Sequence, residues 1–281
     1  MPTQAEKVAE FRALHERDGA FLIPNPFDVG SARMLAGLGF EALATTSSGF
    51  AMTLGRSDMC VTRDEKLAHC AQLVDAVDLP INADLEKGFA DSPEGVAETI
   101  TLAAETGLAG ASIEDATNAP EDPIFAFDDA VARVKAAVDA NAKLATPMVL
   151  TARAENLLHG RNDLDDTIKR LQAFADVGAD VLYAPGLRSQ ADVRRVVDSV
   201  AKPVNVLGIM VRDATVADLT ALGVKRISVG GALARAAAGE FLRAAVEFLD
   251  DGTSAYAKRA ARGEMDALMA KGAAGGVKET T

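Results

Sequence analysis

Eight times along this chain a short apolar segment is followed by a stretch with helical spacing, and each such unit takes roughly thirty residues. The apolar segments fall at 21–25, 42–45, 77–81, 110–113, 147–151, 181–183, 203–206 and 226–229. Helical stretches follow at 28–37, 63–77, 93–107, 128–140, 164–178, 189–200, 215–223 and 230–249. Strands joined through a helix run parallel, because a parallel pair needs a long crossover. An open sheet rarely reaches eight parallel strands without a linker, whereas a closed barrel of eight such units typically takes about 250 residues. The 281 residues therefore predict an α/β fold, a single (β/α)8 TIM barrel over 1–271. Thr3 caps a helix ahead of the first strand, with Ala5, Val8, Phe11 and Leu14 on one face. A surplus helix is expected over 253–270, with docking on a partner subunit as its use, and a flexible Gly/Ala tail over 272–281.

A barrel of this kind places its working side chains at the carboxyl ends of the strands. Here those ends read Asn82-Ala83-Asp84-Leu85-Glu86-Lys87-Gly88, Ile113-Glu114-Asp115 and Leu150-Thr151-Ala152-Arg153. Asp84 just past a buried strand is either a structural cap or salt bridge, or a ligand to a hard cation, since Mg2+ takes one or two carboxylates and keeps several waters. Glu114 and Asp115 are close enough to share that ion, though one of the pair can simply face the wall. Asp58, in a loop, reads as a turn former from spacing alone. Arg153, with Glu155 two residues on, forms a surface ion pair or a planar clamp for a substrate carboxylate. Ser47, Ser48 and Gly49 offer hydroxyls and N–H groups to an anionic oxygen, and Asn205 is a further substrate contact or a turn former. His159 lies in a loop at the same rim and is a candidate proton carrier. His15 and His69 are expected on exposed helix faces, and Cys60 and Cys70 have no histidine partner.

Net charge narrows the partners. At -12 the chain repels nucleic acid and anionic membrane surfaces. Two cysteines are too few for a disulfide framework, and no apolar run reaches the length of a membrane span. Residues 1–19 lack a signal-peptide core. A soluble cytoplasmic protein acting on a small molecule is the expectation.

Asn25-Pro26-Phe27-Asp28, Ser47-Ser48-Gly49, Leu54-Gly55-Arg56-Ser57-Asp58, Asn82-Ala83-Asp84, Ser112-Ile113-Glu114-Asp115 and Thr151-Ala152-Arg153-Ala154-Glu155, in that order, resemble the isocitrate lyase/phosphoenolpyruvate mutase superfamily. The resemblance implies a barrel whose last helix is exchanged between subunits, commonly in a dimer of dimers. It implies Mg2+ (or Mn2+) and a substrate that is a 2-oxo or 2-hydroxy carboxylate. By position, Asp84 would be the direct metal ligand, with Asp58 and Glu114 acting through metal-bound water. Ser48, Gly49 and Arg153 would hold the substrate carboxylate and the developing enolate. Two departures stand out. Asn82 occupies a place where many members carry a second Asp. The segment 116–125 lacks the lid with its Lys, Cys and His that serves the isocitrate and methylisocitrate lyases, and also the lid residues of the phosphonate mutases.

The expected activity is metal-assisted C–C cleavage of a small 2-oxo or 2-hydroxy dicarboxylate through a pyruvate-type enolate, with oxaloacetate decarboxylation the simplest case. Arg153, Ser48, Glu114 and His159 are the expected catalytic residues. Cleavage or rearrangement of a phosphonate such as phosphonopyruvate is one alternative, and binding of a 2-oxo acid without turnover is another.

Overall fold

The computed structural model describes residues 1–261 and 263–275. In chain order its elements begin α1 (Gln4–Glu16), β1 (Phe21–Ile23), α2 (Val29–Leu38), β2 (Leu43–Ala44), α3 (Ser47–Thr53), α4 (Arg63–Ala76), β3 (Ile81–Asp84), α5 (Pro93–Glu105) and β4 (Gly110–Glu114). They continue α6 (Phe127–Asn141), β5 (Val149–Arg153), α7 (Leu164–Asp176), β6 (Val181–Tyr183), α8 (Gln190–Ser199), β7 (Val204–Leu207), α9 (Val216–Ala221), β8 (Arg226–Ser228), α10 (Ala232–Val246) and α11 (Glu264–Gly272).

All eight strands pair in parallel in the order β1-β8-β7-β6-β5-β4-β3-β2. The remaining seam, between β1 and β2, is closed by one backbone bond from Ala44 N to Pro24 O at 3.0 Å. Pro24 has no N–H to return, so a full ladder cannot form there. Asn25 staples the same seam. Its Nδ2 donates to Thr45 O at 3.2 Å, and its Oδ1 accepts from the N–H groups of Val229 and Gly230 at 3.0 and 2.8 Å. The predicted (β/α)8 barrel is the observed architecture.

Strand side chains alternate between the two faces of the wall. Ala83, Ala111, Ile113, Leu150, Ala152, Leu182, Val206 and Ile227 face outward into the clusters under the helices. Inside, the lower layer is apolar: Phe21, Ile23, Val149 and Val181 meet Val8, Phe11 and Leu14 of α1. The helix α1 thus plugs the amino-terminal mouth. Phe11 presses so far in that a Cβ on Gly110 would lie 2.7 Å from its Cε1. The layer above is polar, with Asn82, Ser112, Thr151, Asn205, Arg226 and Ser228 all buried. A barrel interior is ordinarily filled with branched apolar residues, so this polar layer marks the open end as the functional one.

Several expectations need correcting. Residues 47–53 form the helix α3, capped by Thr46, not a strand end running into a loop. His15 and His69 are buried, not exposed. His15 packs edge-on against Phe11 and Phe21, and His69 stacks on Phe50 with ring centroids 3.8 Å apart. Aromatic contact is what draws them inward. Burial lowers their pKa values to about 3 and about 4, so both are neutral at pH 7.

The final helix does not span 253–270. A π-turn at Glu247–Asp251 ends in Gly252 with φ +64°, a short 3-10 turn follows at Ala255–Lys258, and helix resumes only at Glu264. The left-handed glycine is what stops it. In this chain α11 packs against α2, where a methyl on Gly37 would overlap the Leu268 carbonyl and one on Gly272 the Arg33 carbonyl. Residues 274 and 275 are also tied down, through Ala274 N to Ala76 O and Gly275 N to Asp78 Oδ2, both at 3.0 Å. The flexible tail expected over 272–281 is thus docked up to 275, and 276–281 lie outside the described residues. Backbone contact this close has no room for a side chain. Gly37→Leu is expected to unseat α11 at a cost of about 1–3 kcal/mol, seen as a lower Tm and new proteolytic cleavage within 264–275.

Candidate active site

The sequence around β3 explains how the first carboxylate is placed. Asp84 ends the strand, and its Oδ1 accepts from Glu86 N at 3.3 Å while its Oδ2 accepts from Ser47 N at 3.1 Å. Asp84 N is held in turn by Thr45 Oγ1 at 2.9 Å. The chain then turns back on itself with φ +52° at Glu86, +80° at Gly88 and +54° at Phe89. A left-handed conformation costs a residue with a Cβ roughly 1–2 kcal/mol. Here it carries the Glu86 carboxyl inward, where it is 4% exposed and its Oε1 has no hydrogen-bond partner.

Strand register brings the other groups alongside. Glu114 pairs with Arg153 across β4 and β5, and Arg153 with Tyr183 across β5 and β6. The Arg153 Nη1 lies 2.8 Å from Asp84 Oδ1 and 3.1 Å from Glu114 Oε2, and its Nε donates to Glu155 Oε1 at 2.8 Å. Its guanidinium carbon stands 5.2 Å from the centroid of the Tyr183 ring. One partly buried cation, its side chain 13% exposed, therefore bridges three carboxyl groups. Lys66, fully buried, has an Nζ with no hydrogen-bond partner among the described residues and acts on the same cluster.

The electrostatics follow from that crowding. Burial works against the Asp84 charge, but Arg153, Lys66 and the N–H groups of Ser47 and Glu86 prevail and hold it below the usual carboxylate range. Burial pushes Glu86 up to about 7, with Asp84 adding to the effect. Glu155 rises to about 7 and Glu114 well above its ordinary value, each chiefly through burial and against the pull of Arg153. Four carboxyl groups (Asp84, Glu86, Glu114, Glu155) thus face two cations (Arg153, Lys66). Among the described residues no three acidic, His or Cys groups form a ready-made cage. A hard divalent ion that keeps its waters needs only one or two carboxylates. The surplus of carboxyl groups over cations and the partnerless Glu86 oxygen suit such an ion.

Above the polar layer the barrel mouth encloses a cavity of about 230 Å³, room for about eight waters. Ser47, Ser48, Asp58, Asp84, Arg153, Tyr183, Asn205 and Arg226 are among its lining. Of the residues singled out in the sequence, Asp84, Glu114, Arg153 and Glu155 converge. Ser47 and Ser48 line the same cavity, with Ser48 Oγ 3.2 Å from Thr46 Oγ1. Gly49 does not reach it, because its N–H is taken by Thr46 Oγ1 at 3.3 Å as the cap of α3. Asp58 lines the rim while its Oδ1 accepts from Met59 N at 3.0 Å. His159 lies outside the lining, 4.0 Å from Glu155 Oε2. Asp115 is turned into the wall, accepting from Glu155 N at 2.7 Å and from Arg170 Nη1 at 3.1 Å. Its role is structural.

The segment 116–125 is a small hairpin away from the cavity. Ala116 bridges Ile124, and Thr117 N donates to Pro123 O at 2.9 Å. Glu86, Lys66, Tyr183 and Arg226 escaped the sequence reading. The i, i+2 spacing of Asp84 and Glu86, and a lone arginine opening the eighth strand, were the available signals.

The chain is similar to known proteins to different degrees. The family model described as phosphoenolpyruvate phosphomutase matches residues 11–249. A crystal structure of a Burkholderia cenocepacia protein, named only as a lyase or mutase, is 55% identical, superposes with a TM-score of 0.91 and covers 94% of this chain and 95% of its own. The 2-methylisocitrate lyase of Escherichia coli is 30% identical over 69% of this chain and 67% of its own length. The oxaloacetate decarboxylase of Paraburkholderia xenovorans is 28% identical over 70% of this chain and 67% of its own.

The raised carboxyl groups make stability depend on pH. Glu86 has a folded pKa of about 7 against an ordinary 4.5, so the fold favours its protonated form. That contribution is complete below about pH 4.5 and lost as pH rises through about 7. It amounts to about 3 kcal/mol at most. Urea unfolding in EDTA is expected to show lower stability at pH 8 than at pH 5, and Glu86→Gln is expected to shrink the difference.

Proposed function

The chain belongs to the phosphoenolpyruvate phosphomutase family, within the superfamily of isocitrate lyase and phosphoenolpyruvate mutase enzymes, and from that premise we propose that it cleaves a C–C bond in a small 2-oxo or 2-hydroxy dicarboxylate. The observation that carries the reading is the Arg153 guanidinium set among Asp84, Glu114 and Glu155 at the edge of a small polar cavity. The similarity to an oxaloacetate decarboxylase makes oxaloacetate the simplest substrate.

In that reaction the C3–C4 bond breaks, CO2 leaves, and the electron pair moves into the C2 carbonyl to give the enolate of pyruvate. A proton then adds at C3. Asp84, with Asp58 and Glu114 beside it, would hold Mg2+ (or Mn2+). When bound, the ion supplies a Lewis acid for the developing negative charge. Arg153 adds a fixed positive charge at the same place, kept protonated because Glu114, Glu155 and Asp84 outweigh its burial. Ser47 and Ser48 orient the substrate carboxylate through their hydroxyls. Burial keeps the Tyr183 phenol protonated, so it stands as a donor and not as a base. His159 lies outside the cavity lining, and water at the open mouth is the proton source we assign.

The exposed face after β8 supports an oligomer. Phe241, Phe248 and Leu249 are 71%, 63% and 81% exposed, with Leu242 and Val246 beside them. A contiguous apolar surface of that kind marks a protein contact, and we assign it to a second copy of this chain in a dimer of dimers. No helix among the described residues is long and apolar enough to cross a membrane, and the proposed compartment is the cytoplasm.

Two experiments test these assignments. Pyruvate release from oxaloacetate should require Mg2+ or Mn2+, stop in EDTA, and fall at least 100-fold in Asp84→Asn and Arg153→Lys. Phosphate release from phosphonopyruvate with no turnover of dicarboxylates would replace this reading with the phosphonate one. Phe241→Glu combined with Leu249→Asp should convert the oligomer to smaller species in light scattering behind size exclusion; an unchanged mass refutes the assigned surface.

A further inference from the structure

Register carries one row of side chains from the mouth of the barrel to its floor. Glu114 pairs with Arg153, Arg153 with Tyr183, Tyr183 with Asn205 and Asn205 with Arg226. Glu114, Arg153 and Tyr183 are the last residues of their strands, whereas Arg226 is the first of β8. Strands tilt in a closed barrel, so a row followed across them descends. Arg226 therefore stands beneath Arg153, at the bottom of the same cavity.

The two arginines are treated very differently by their surroundings. Arg153 touches three carboxyl groups. Arg226 is 3% exposed, and no carboxylate lies within ion-pair distance of it among the described residues. Its Nε donates to Asn205 Oδ1 at 2.9 Å and its Nη2 to Thr151 Oγ1 at 3.0 Å, both neutral acceptors, while Nη1 has no partner. Burial, with Arg153 adding to it, lowers its pKa to about 10, which leaves it charged at pH 7. A buried charge without a counter-ion is costly. Asn205 and Thr151 fix the guanidinium fork and leave Nη1 buried without a partner.

We propose that Arg226 is the receptor for the second carboxylate of the substrate, so that the cavity selects 2-oxo dicarboxylates over 2-oxo monocarboxylates. The inference rests on the reading of the cavity as a 2-oxo acid site and adds a specificity-determining residue to it. Arg153 and the acidic cluster take the C1 carboxylate and the C2 oxygen, where the enolate charge develops, and Arg226 takes the C4 carboxylate, the group that leaves as CO2. A planar guanidinium with an unpartnered N–H matches a carboxylate oxygen, and an incoming methyl group in its place leaves the charge unpaired.

Calorimetric titration in EDTA, where turnover stops, compares oxaloacetate with 2-oxobutanoate, which carries a methyl where oxaloacetate carries the second carboxylate. The unaltered protein should bind oxaloacetate at least tenfold more tightly. Arg226→Gln should bring that ratio to within about twofold of unity, and Arg226→Lys should keep a part of it. Should Arg226→Gln fail to fold, Thr151→Val, which removes one anchor of the guanidinium, should reduce the ratio in the same direction. A ratio unchanged in the folded variants refutes the role of Arg226 while leaving the 2-oxo acid reading intact. If the unaltered protein binds neither these acids in EDTA nor oxalate with Mg2+ present, the underlying reading falls and this one with it.

Discussion

The burial of one guanidinium among three carboxyl groups is the interaction on which the rest of this molecule depends. Arg153 is tolerable inside the barrel only because Asp84, Glu114 and Glu155 meet it, and they are tolerable only because of it. Removing one partner of such a set leaves uncompensated charge in a poorly solvated place. The wall therefore has to hold its register at β3, β4 and β5 closely, and the hydrogen bonds of Thr45, Ser47 and Glu86 to Asp84 do part of that holding.

The same arrangement shows how the barrel divides its labour along its axis. Apolar side chains and α1 fill the amino-terminal half, which supplies the hydrophobic stabilisation that a polar centre does not. The upper half is given over to hydroxyls, amides and charges. Its acidic surplus and the isolated cation on its floor are two different imbalances, one answered by a small cation and the other by an anion.

Much of this was readable in advance, for physical reasons that can be named. Strand–helix alternation survives in any single sequence because each strand must be apolar on its outer face and each helix on its inner one. The convergence of Asp84, Glu114 and Arg153 was readable because strand ends in a parallel barrel share one rim. What escaped depended on backbone detail or on partners distant in sequence. Glu86 points inward only because its φ is positive. Gly49 looked available until Thr46 proved to be the cap of α3. His15 and His69 are drawn inside by aromatic rings that spacing does not reveal. The break after α10 rests on a single left-handed glycine.

The seam between β1 and β2 carries a consequence of its own. A belt of parallel ladders runs round the barrel and thins to one main-chain bond at Pro24, with the Asn25 amide acting as a clasp above it. A hoop parts at its weakest link, so breathing of this wall starts beside the first strand. Because Asn25 and Thr45 also border the cavity, the loosest place in the hoop lies against the chemistry and not on the far side from it.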